Sequence, residues 1–374
     1  MKRRIFADKS GFTLVEIMVY LAILLIIMTA VFNSFIKVTQ PTFRQAEIAE
    51  TKLETGLGMD LLRLDLEHAG FGLFWRIPTG AALVYGEPAP FSHSNEVPRA
   101  LESADDSANS LNNADYLVIR ATNVARSRAS QTWGYVMRDA SHNIVVQSMG
   151  DDAFANGDRV LVVRPEIAPS QYRQLVMNGG AWVTNPTAAA LTNFAPTASP
   201  NDPNGERYLI YGIDDAAAAR PFNRTDYYIS NANVPAHCAP GTGVLVKAVA
   251  NQADNNFTIL PIVDCVADFQ VVYHLDTDGD GGWDTIRNAS SIAALNPQQI
   301  RDQVKEVRCY VLAHEGGRDT YYEHSTDTMN VGEVDAGGNL LAGRSFNIRN
   351  NIPGNWANYR WKVYSLAVTP KNLK

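Results

Sequence analysis

An apolar run near the start of the chain constrains its fold more than any other feature. Residues 12–35 contain a single charged side chain, Glu16. A membrane-spanning helix needs roughly 20 mostly apolar residues, so this run is long enough to cross a bilayer. Basic residues precede it, the last of them Lys9, and such a flank stays in the cytoplasm. The sequence therefore predicts a single-pass inner-membrane protein whose remaining chain lies in the periplasm.

Two features distinguish this run from a removable secretory signal. No small-residue Ala-x-Ala site follows the apolar residues, and Gly11 directly precedes them. Glu16 lies well inside the run, where an ionised carboxylate needs a partner or takes up a proton. The glycine and the carboxylate need a common explanation.

The stretch from Gly11 to Glu16, Gly-Phe-Thr-Leu-Val-Glu, resembles the leader motif of type IV pilins, minor pilins and type II secretion pseudopilins. The resemblance implies that residues 1–11 are a leader, that a prepilin peptidase cleaves after Gly11, and that Phe12 becomes N-methylated. It also implies that Glu16 pairs with the terminal amine of a neighbouring subunit and sets the axial register of a fibre. An intrachain contact between Glu16 and the Phe12 amine, four residues apart, is the alternative.

The charge balance favours an exported protein that does not bind nucleic acid. The chain has 32 basic and 39 acidic residues, a net charge of −7. Cleavage after Gly11 would remove more basic than acidic residues and leave the chain more acidic. A nucleic-acid partner requires a basic surface, so we expect none.

The helix is predicted to continue beyond the membrane. Residues 12–36 would form the transmembrane and filament-core segment, and residues 37–72 the periplasmic half, with a kink at Pro41. Gly70 and Gly72 are stop signals. A helical stripe in the second half predicts packing on a globular domain; its members are Leu53, Leu57, Leu61 and Leu64.

Residues 73–374 have the pattern of a β-rich globular domain. Short β-branched runs predict strands at 115–122, 144–147, 159–164, 207–213, 227–230, 243–250, 304–313 and 360–369. A longer run at 257–275 contains Pro261, which suggests that it forms two strands. A short helix is predicted at 296–303, with Pro297 near its first position. Three polar stretches are predicted loops: 92–113, 187–205 and 316–343. The fold class is α+β, a long N-terminal helix packed on mostly antiparallel sheet.

An aspartate-rich loop follows the 257–275 run. Asp276, Asp278, Asp280 and Asp284 alternate with glycine and small residues, a pattern that suits Ca²⁺. The position at which an EF-hand has its bidentate glutamate is Arg287, and no helix flanks the loop, so an EF-hand is excluded. A shorter calcium loop and a metal-free Asp/Gly turn remain the two interpretations.

The chain has three cysteines, which are compatible with an oxidising periplasm. Cys238 precedes the 243–250 strand and Cys265 lies in the 257–275 run, so a hairpin between them would bring these two together. A Cys265–Cys309 pair across neighbouring strands is the alternative. Cys309 alternates with Val307 and Val311, which favours a buried free thiol.

No catalytic motif is recognisable, since HExxH, GxSxG and the glycine-rich nucleotide loops are all missing from the sequence. We therefore expect a non-enzyme with no certain cofactor other than the candidate Ca²⁺.

Three further stretches resemble PilW-type minor pilins: the end of the long helix at 61–71, the turn from Tyr273 to Gly281, and the C-terminal 361–373, where Lys371 stands in place of an arginine. The resemblance implies a minor pilin that helps to prime type IV pilus assembly at or near the fibre tip. Its partners would be prepilin peptidase, other minor pilins, the major pilin and a large tip adhesin. After assembly, the protein would lie in the fibre at the cell surface.

A minor pseudopilin of type II secretion is the first alternative. A membrane-anchored periplasmic enzyme or carbohydrate-binding module is the second.

Overall fold

The computed structural model describes residues 11, 13–149, 152–165, 173–198 and 205–373, with the side chains of 36–43 left out. Helix α1 extends from Leu14 to His68 and contains Pro41. The chain divides into two compact units, residues 1–50 and 51–374, which are described separately.

In the first unit, one described helix is long and apolar enough to cross a membrane. The span is Leu14–Phe35, with a mean hydropathy of 2.7, and none of its side chains is buried by the protein. An apolar helix surface without protein contacts is what a lipid bilayer accommodates. The first half of α1 therefore has the character that the sequence predicts.

The second unit is built mainly from antiparallel strands. The described residues contain fifteen of them: β1 Leu101–Ala104, β2 Tyr116–Ala121, β3 Trp133–Arg138, β4 Ile144–Met149, β5 Arg159–Arg164, β6 Gln174–Leu175, β7 Tyr208–Asp214, β8 Asn223–Ser230, β9 Gly243–Ala250, β10 Phe257–Leu275, β11 Thr285–Asn288, β12 Val304–Glu315, β13 Thr328–Val334, β14 Leu340–Asn347 and β15 Arg360–Val368. Three short helices accompany them: α2 Arg128–Gln131, α3 Pro297–Gln303 and α4 Ile348–Asn351. The predicted α+β class is confirmed.

These strands form three sheets. The largest has the order β1-β2-β8-β9-β10-β12-β15, with β11 also paired to β10. A second sheet has the order β4-β3-β7-β5-β6, and β13 and β14 form a separate hairpin. Strands β2 and β8 pair directly with each other in the first sheet, and strands β3 to β7 lie between them in the sequence. The second sheet is therefore formed by the connection between two adjacent strands of the first.

The large sheet has an apolar core on each face because its strands alternate. In β12, Val307, Cys309 and Val311 pack in one buried cluster with α1, whereas Tyr310 and Leu312 pack in another with the β13–β14 hairpin. Successive side chains of a strand point to opposite faces, so one strand supplies both cores.

Helix α3 forms where the sequence predicts it. Pro297 occupies an N-terminal helical position, and Asn296 and Gln299 form a reciprocal capping box. Both capping interactions satisfy backbone N–H groups that have no partner inside the helix.

The part of α1 from Thr51 onward packs on the sheet through a different face from the predicted one. The leucine stripe is exposed, with Leu53 at 70% and Leu57 at 69% relative exposure. The buried face instead consists of Thr51, Thr55, Gly58, Met59, Leu62, Asp65, Leu66 and Ala69. Leu62 and Leu66 are fully buried apolar members of this face, and small residues accompany them because the sheet backbone comes very close: a Cβ on Gly58 would lie 2.0 Å from the carbonyl oxygen of Ile262.

Two of the predicted loops are wrong in part. Residues 92–113 include β1, and residues 316–343 include β13 and the start of β14. In β1 the polar residues Glu102 and Ser103 are buried by contacts with distant residues, which a local pattern does not reveal. Much of β13 and β14 is exposed and polar, so these strands lack the apolar alternation that marks a strand in sequence.

Two other elements differ from the prediction, and a third segment is described only in part. Helix α1 ends at His68, before the predicted limit at 72, since Gly70 has a φ of +81° that a helix does not continue. Residues 257–275 form one strand; Pro261 coincides with a shift in pairing register and not with a break. Within the predicted loop at 187–205, residues 199–204 lie outside the described residues, and Leu191 and Phe194 are buried.

Candidate functional site

The start of α1 contains a reciprocal pair of hydrogen bonds between Thr13 and Glu16. The Thr13 backbone N–H donates to Glu16 Oε2 at 3.4 Å, and the Glu16 N–H donates to Thr13 Oγ1 at 3.3 Å. Because α1 begins at Leu14, Thr13 is its N-cap and Glu16 its third residue, which is a capping-box arrangement. The pattern Thr-x-x-Glu at 13–16 that marks this cap is readable from the sequence.

The predicted processing site lies immediately before this cap. Gly11 is exposed, and beyond its chain neighbours no atom of the described residues lies within 4 Å of where its Cβ would be. Residues 1–10 and Phe12 lie outside the described residues. Cleavage after Gly11, N-methylation of Phe12 and the assembly role of Glu16 therefore stay predictions.

The end of α1 is anchored to the large sheet by a buried charged cluster. Tyr227 Oη donates to Asp65 Oδ2 at 2.5 Å, and Lys247 Nζ lies 2.6 Å from the same oxygen. Burial raises the pKa of Asp65, and the Lys247 ammonium and Tyr227 hydroxyl oppose that rise. Tyr227 lies in β8 and Lys247 in β9, so Asp65 joins the helix to two strands.

The C-terminal residues close the end of α1. The Lys371 backbone N–H donates to the Glu67 carbonyl oxygen at 3.0 Å, and Asn372 Nδ2 donates to the same oxygen at 3.4 Å. Lys371 Nζ also pairs with the Glu67 carboxylate. The last carbonyls of a helix have no partner inside it and carry partial negative charge, so an N–H donor and a cation suit this position.

The aspartate-rich loop brings together three of the four predicted ligands. One carboxylate oxygen of each of Asp276, Asp278 and Asp284 lies within 4.8 Å of the others. Asp280 is outside this group, and its Oδ1 accepts a hydrogen bond from the Gly282 N–H at 2.7 Å. Arg287 lies in β11 and forms no part of the group.

Two of these carboxylates already have protein partners. Asp276 accepts the N–H groups of Gly279 and Gly281, and Lys305 Nζ lies 3.3 Å from its Oδ2. Asp284 accepts the Thr277 N–H and hydroxyl, which with Thr285 lower its pKa to about 2. The pKa values of Asp276 and Asp284 are lowered and the carboxylate oxygens converge, as Ca²⁺ requires, but Lys305 competes with a cation for Asp276. Calcium binding stays a prediction.

The disulfide expected from the sequence is confirmed, and it joins Cys238 to Cys265. Cys309 is a buried free thiol. Cys265 lies where β10 shifts register against β9, with a φ of +57°, so the bridge ties the turn before β9 to the irregular part of β10.

A network of buried charges was not anticipated from the sequence. Arg120 pairs with Glu87 at 2.7 Å and with Glu102 at 3.0 Å, and Arg224 pairs with Glu87 at 2.9 Å and with Asp226 at 2.7 Å. All five side chains are buried and therefore lose most of their hydration. The opposite charges stabilise one another instead. The sequence feature that points to this network is Arg120, which is a charged residue in the otherwise apolar strand β2.

Comparison with known proteins agrees with these features. A family model described as the prokaryotic N-terminal methylation motif matches residues 7–32, and a model described as type IV pilus-assembly protein W matches residues 210–372. No curated protein and no solved structure gives a significant match.

The methylation motif and the apolar helix that follows it define the chain as a type IV pilin-like protein. Within that class it is a minor pilin related to type IV pili and resembles the PilW type. The matched region includes the disulfide, the aspartate-rich loop and the C-terminal residues that cap α1. The PilW family is a structural component of pilus assembly.

Proposed function

We propose that this protein is a minor pilin that helps to prime type IV pilus assembly and occupies a position at or near the fibre tip. It acts as an assembly component and not as an enzyme. The precursor lies in the inner membrane through residues 12–36, with the globular domain in the periplasm. Prepilin peptidase then cleaves after Gly11, and the mature chain enters the fibre.

The observation that carries the tip position is the five-stranded sheet inserted between the neighbouring strands β2 and β8. Most of it lies outside the segment that matches the PilW model, so it is additional to that region. A subunit inside a helical fibre has neighbours above and below it. An additional module is most easily accommodated at the end of a fibre, where one axial side is free. There it would contact other minor pilins or a large tip adhesin.

Two observations support the orientation and location. The basic residues before Gly11 favour a cytoplasmic N-terminus. The Cys238–Cys265 disulfide suits an oxidising compartment such as the periplasm.

The first test is Gly11→Ala in the producing cell. We expect an uncleaved precursor that stays in the membrane and is missing from sheared pili, because the peptidase requires the glycine before its cleavage site. Ser10→Ala is the control and should be processed normally. Immunoblotting of membrane and pilus fractions makes the measurement. Normal cleavage and incorporation of the Gly11→Ala chain would refute the pilin assignment.

A second measurement tests the tip position and the secretion alternative. Immunogold labelling of an epitope in the 187–198 loop should mark fibre ends. Labelling along the whole fibre would contradict the tip position. A deletion strain should make fewer pili. If it instead keeps its pili and loses secretion of exported enzymes, the protein is a pseudopilin of type II secretion.

A further inference from the structure

The exposed leucines of α1 form one continuous ridge. Leu53, Leu57 and Leu61 follow at intervals of four residues, and Leu64 extends the row; their exposure ranges from 47% to 70%. Residues four apart on a helix are neighbours on one face, and such i±4 rows are the ridges that pack between helices. Single exposed leucines are ordinary, but a row of them marks a contact surface.

This ridge forms one wall of a groove. Leu57, Gly58 and Leu61 line it on the helix side, and Ile259 and Pro261 of β10 line it on the sheet side. The groove has a volume of about 550 Å³. Its floor is apolar, because Val244 and Val246 of β9 are buried beneath it. Gly58 creates the groove by letting the helix lie against the Ile262 carbonyl.

The charges that line the groove have one sign. Glu54 and Asp264 are its two charged lining residues, and neither has an ion-pair partner in the described part of the chain. Partial burial raises the pKa of Asp264, and the charge of His237 opposes that rise. The groove thus combines apolar walls with two carboxylates that form no ion pair within the described residues.

We propose that this groove binds an amphipathic helix of a different protein chain, one with an apolar face flanked by lysine or arginine. Within the groove, Leu57 and Leu61 would pack against the apolar face of that helix from the α1 side, and Ile259 and Pro261 would do so from the sheet side. Cationic residues beside that apolar face would pair with Glu54 and Asp264 across the rim. This inference goes beyond the proposed function, since it defines the chemistry of a partner at a surface that the tip position does not require.

A second copy of this chain is a poor occupant. Its own helical segment from Arg44 to Glu67 carries three basic and six acidic residues, so it would bring the wrong charge to the groove. Like charges across an interface disfavour association.

The test uses the full chain in zwitterionic lipid nanodiscs and two fluorescent peptides. Each peptide is an amphipathic helix of about five turns with leucines on one face; lysine flanks the leucines in one and glutamate in the other. We expect the anisotropy titration to show the lysine peptide binding at least about tenfold more tightly than the glutamate peptide, because opposite charges at the rim attract. Empty nanodiscs correct for binding to lipid.

Matched variants assign the binding to the groove. Leu57→Ser with Leu61→Ser should weaken binding of the lysine peptide by about tenfold or more, since each leucine loses most of its apolar contact. Leu53→Ser with Leu64→Ser removes two leucines of the same ridge that do not line the groove, and should change binding less than about threefold. Thermal melting checks that all variants fold.

Charge reversal gives a second, independent test. Glu54→Lys with Asp264→Lys should invert the preference in favour of the glutamate peptide, whereas Glu323→Lys, at an exposed carboxylate outside the groove, should not. Equal binding of both peptides, no binding, or equal loss in both leucine pairs would overturn the proposal. Energy transfer between differently labelled nanodiscs that Leu57→Ser with Leu61→Ser abolishes would show a second copy as the occupant instead. None of these readouts needs cleavage at Gly11, so they are independent of the proposed function.

Discussion

Glu16 combines two properties that substitution can separate. It is the single carboxyl-bearing side chain of residues 12–35, and its carboxylate accepts the Thr13 N–H in the capping box. Glutamine keeps the acceptor and the shape but not the charge, and Gln is also a capping-box residue. Alanine removes both. The assembly hypothesis depends on the charge, whereas the helix cap depends on the acceptor.

We therefore expect both Glu16→Gln and Glu16→Ala to be cleaved after Gly11 and to be depleted from sheared pili. A quantitative immunoblot of the pilus fraction makes the measurement. If Glu16→Gln enters pili at the wild-type level and only Glu16→Ala is depleted, Glu16 acts as a helix cap. Thr13→Ala, which removes the other half of the box, is the control for that outcome.

His314 makes the stability of the second unit depend on pH. Its Nε2 accepts the Ala239 N–H at 2.9 Å, and its Nδ1 lies 3.0 Å from the Gly316 carbonyl oxygen, to which it donates. These partners require the neutral ring, because a protonated ring has no acceptor. Burial lowers the pKa of His314 to about 4 from 6.5. The unfolded chain therefore takes up a proton before the folded one does.

The stabilising effect of the neutral ring is complete above about pH 6.5 and is lost as the pH falls towards about 4. We expect the free energy of unfolding to fall by up to about 1.4 kcal/mol per pH unit in this window through His314. Urea unfolding of wild type and His314→Gln between pH 7 and 4 measures the difference. The exposed His142→Gln is the control. Parallel curves for wild type and His314→Gln would contradict this account.

Among the elements, α1 shows which structural features sequence periodicity predicts and which it does not. The helix, its passage through Pro41 and its stop near Gly70 were predictable, because propensity and glycine positions act locally. Leucines occur on both faces, with Leu62 and Leu66 buried, so they did not identify the face that packs; that face is defined by Gly58, where the sheet backbone approaches closely. Hydrophobicity alone favoured the stripe that is in fact exposed.

The glycines of α1 provide a matched pair of substitutions. Gly56→Ala should raise the free energy of unfolding by about 0.5–1 kcal/mol, since its position is open and alanine favours helix. Gly58→Ala should lower it by about 1–3 kcal/mol, because its Cβ would overlap the Ile262 carbonyl. Denaturant titration measures both. Equal effects in the two variants would mean that the close approach does not limit packing.

The strands likewise fall into two groups: those that a local apolar pattern predicts, and those that depend on contacts between residues far apart in the sequence. Residues 243–250 and 304–313 have apolar patterns that predict β9 and β12 closely. β1 was not predicted because distant residues contact its buried polar side chains, and the β13–β14 hairpin was not predicted because its exposed polar residues interrupt the apolar alternation. Arg120 and Glu87 are 33 residues apart, and Arg224 and Glu87 are 137 apart, so no sequence window contains the whole charged network.

In the whole molecule, residues 51–374 form a compact unit of their own, so a fragment that begins at Thr51 should fold without the membrane segment. It permits a direct test of the aspartate-rich loop. We expect Ca²⁺ to raise its melting temperature, by the equivalent of about 2.7 kcal/mol at a concentration a hundredfold above Kd. Differential scanning calorimetry with Ca²⁺ or Mg²⁺ makes the measurement.

Asp278→Asn should remove the calcium effect, because it deletes one of the converging carboxylates, whereas Asp254→Asn alters an exposed turn elsewhere and should not. No rise in melting temperature with Ca²⁺ would identify the loop as a turn held by Asp276, Asp284 and Lys305 alone.

The contact between Lys371 and Glu67 joins residues that are 304 positions apart. Ribosomes add about 5–20 residues per second, so about 15–60 seconds separate the synthesis of Glu67 from that of Lys371. During that interval the end of α1 exists without the residues that cap it. A chain terminated early by a nonsense codon or a stalled ribosome would therefore keep its membrane helix but leave the end of that helix open to proteases.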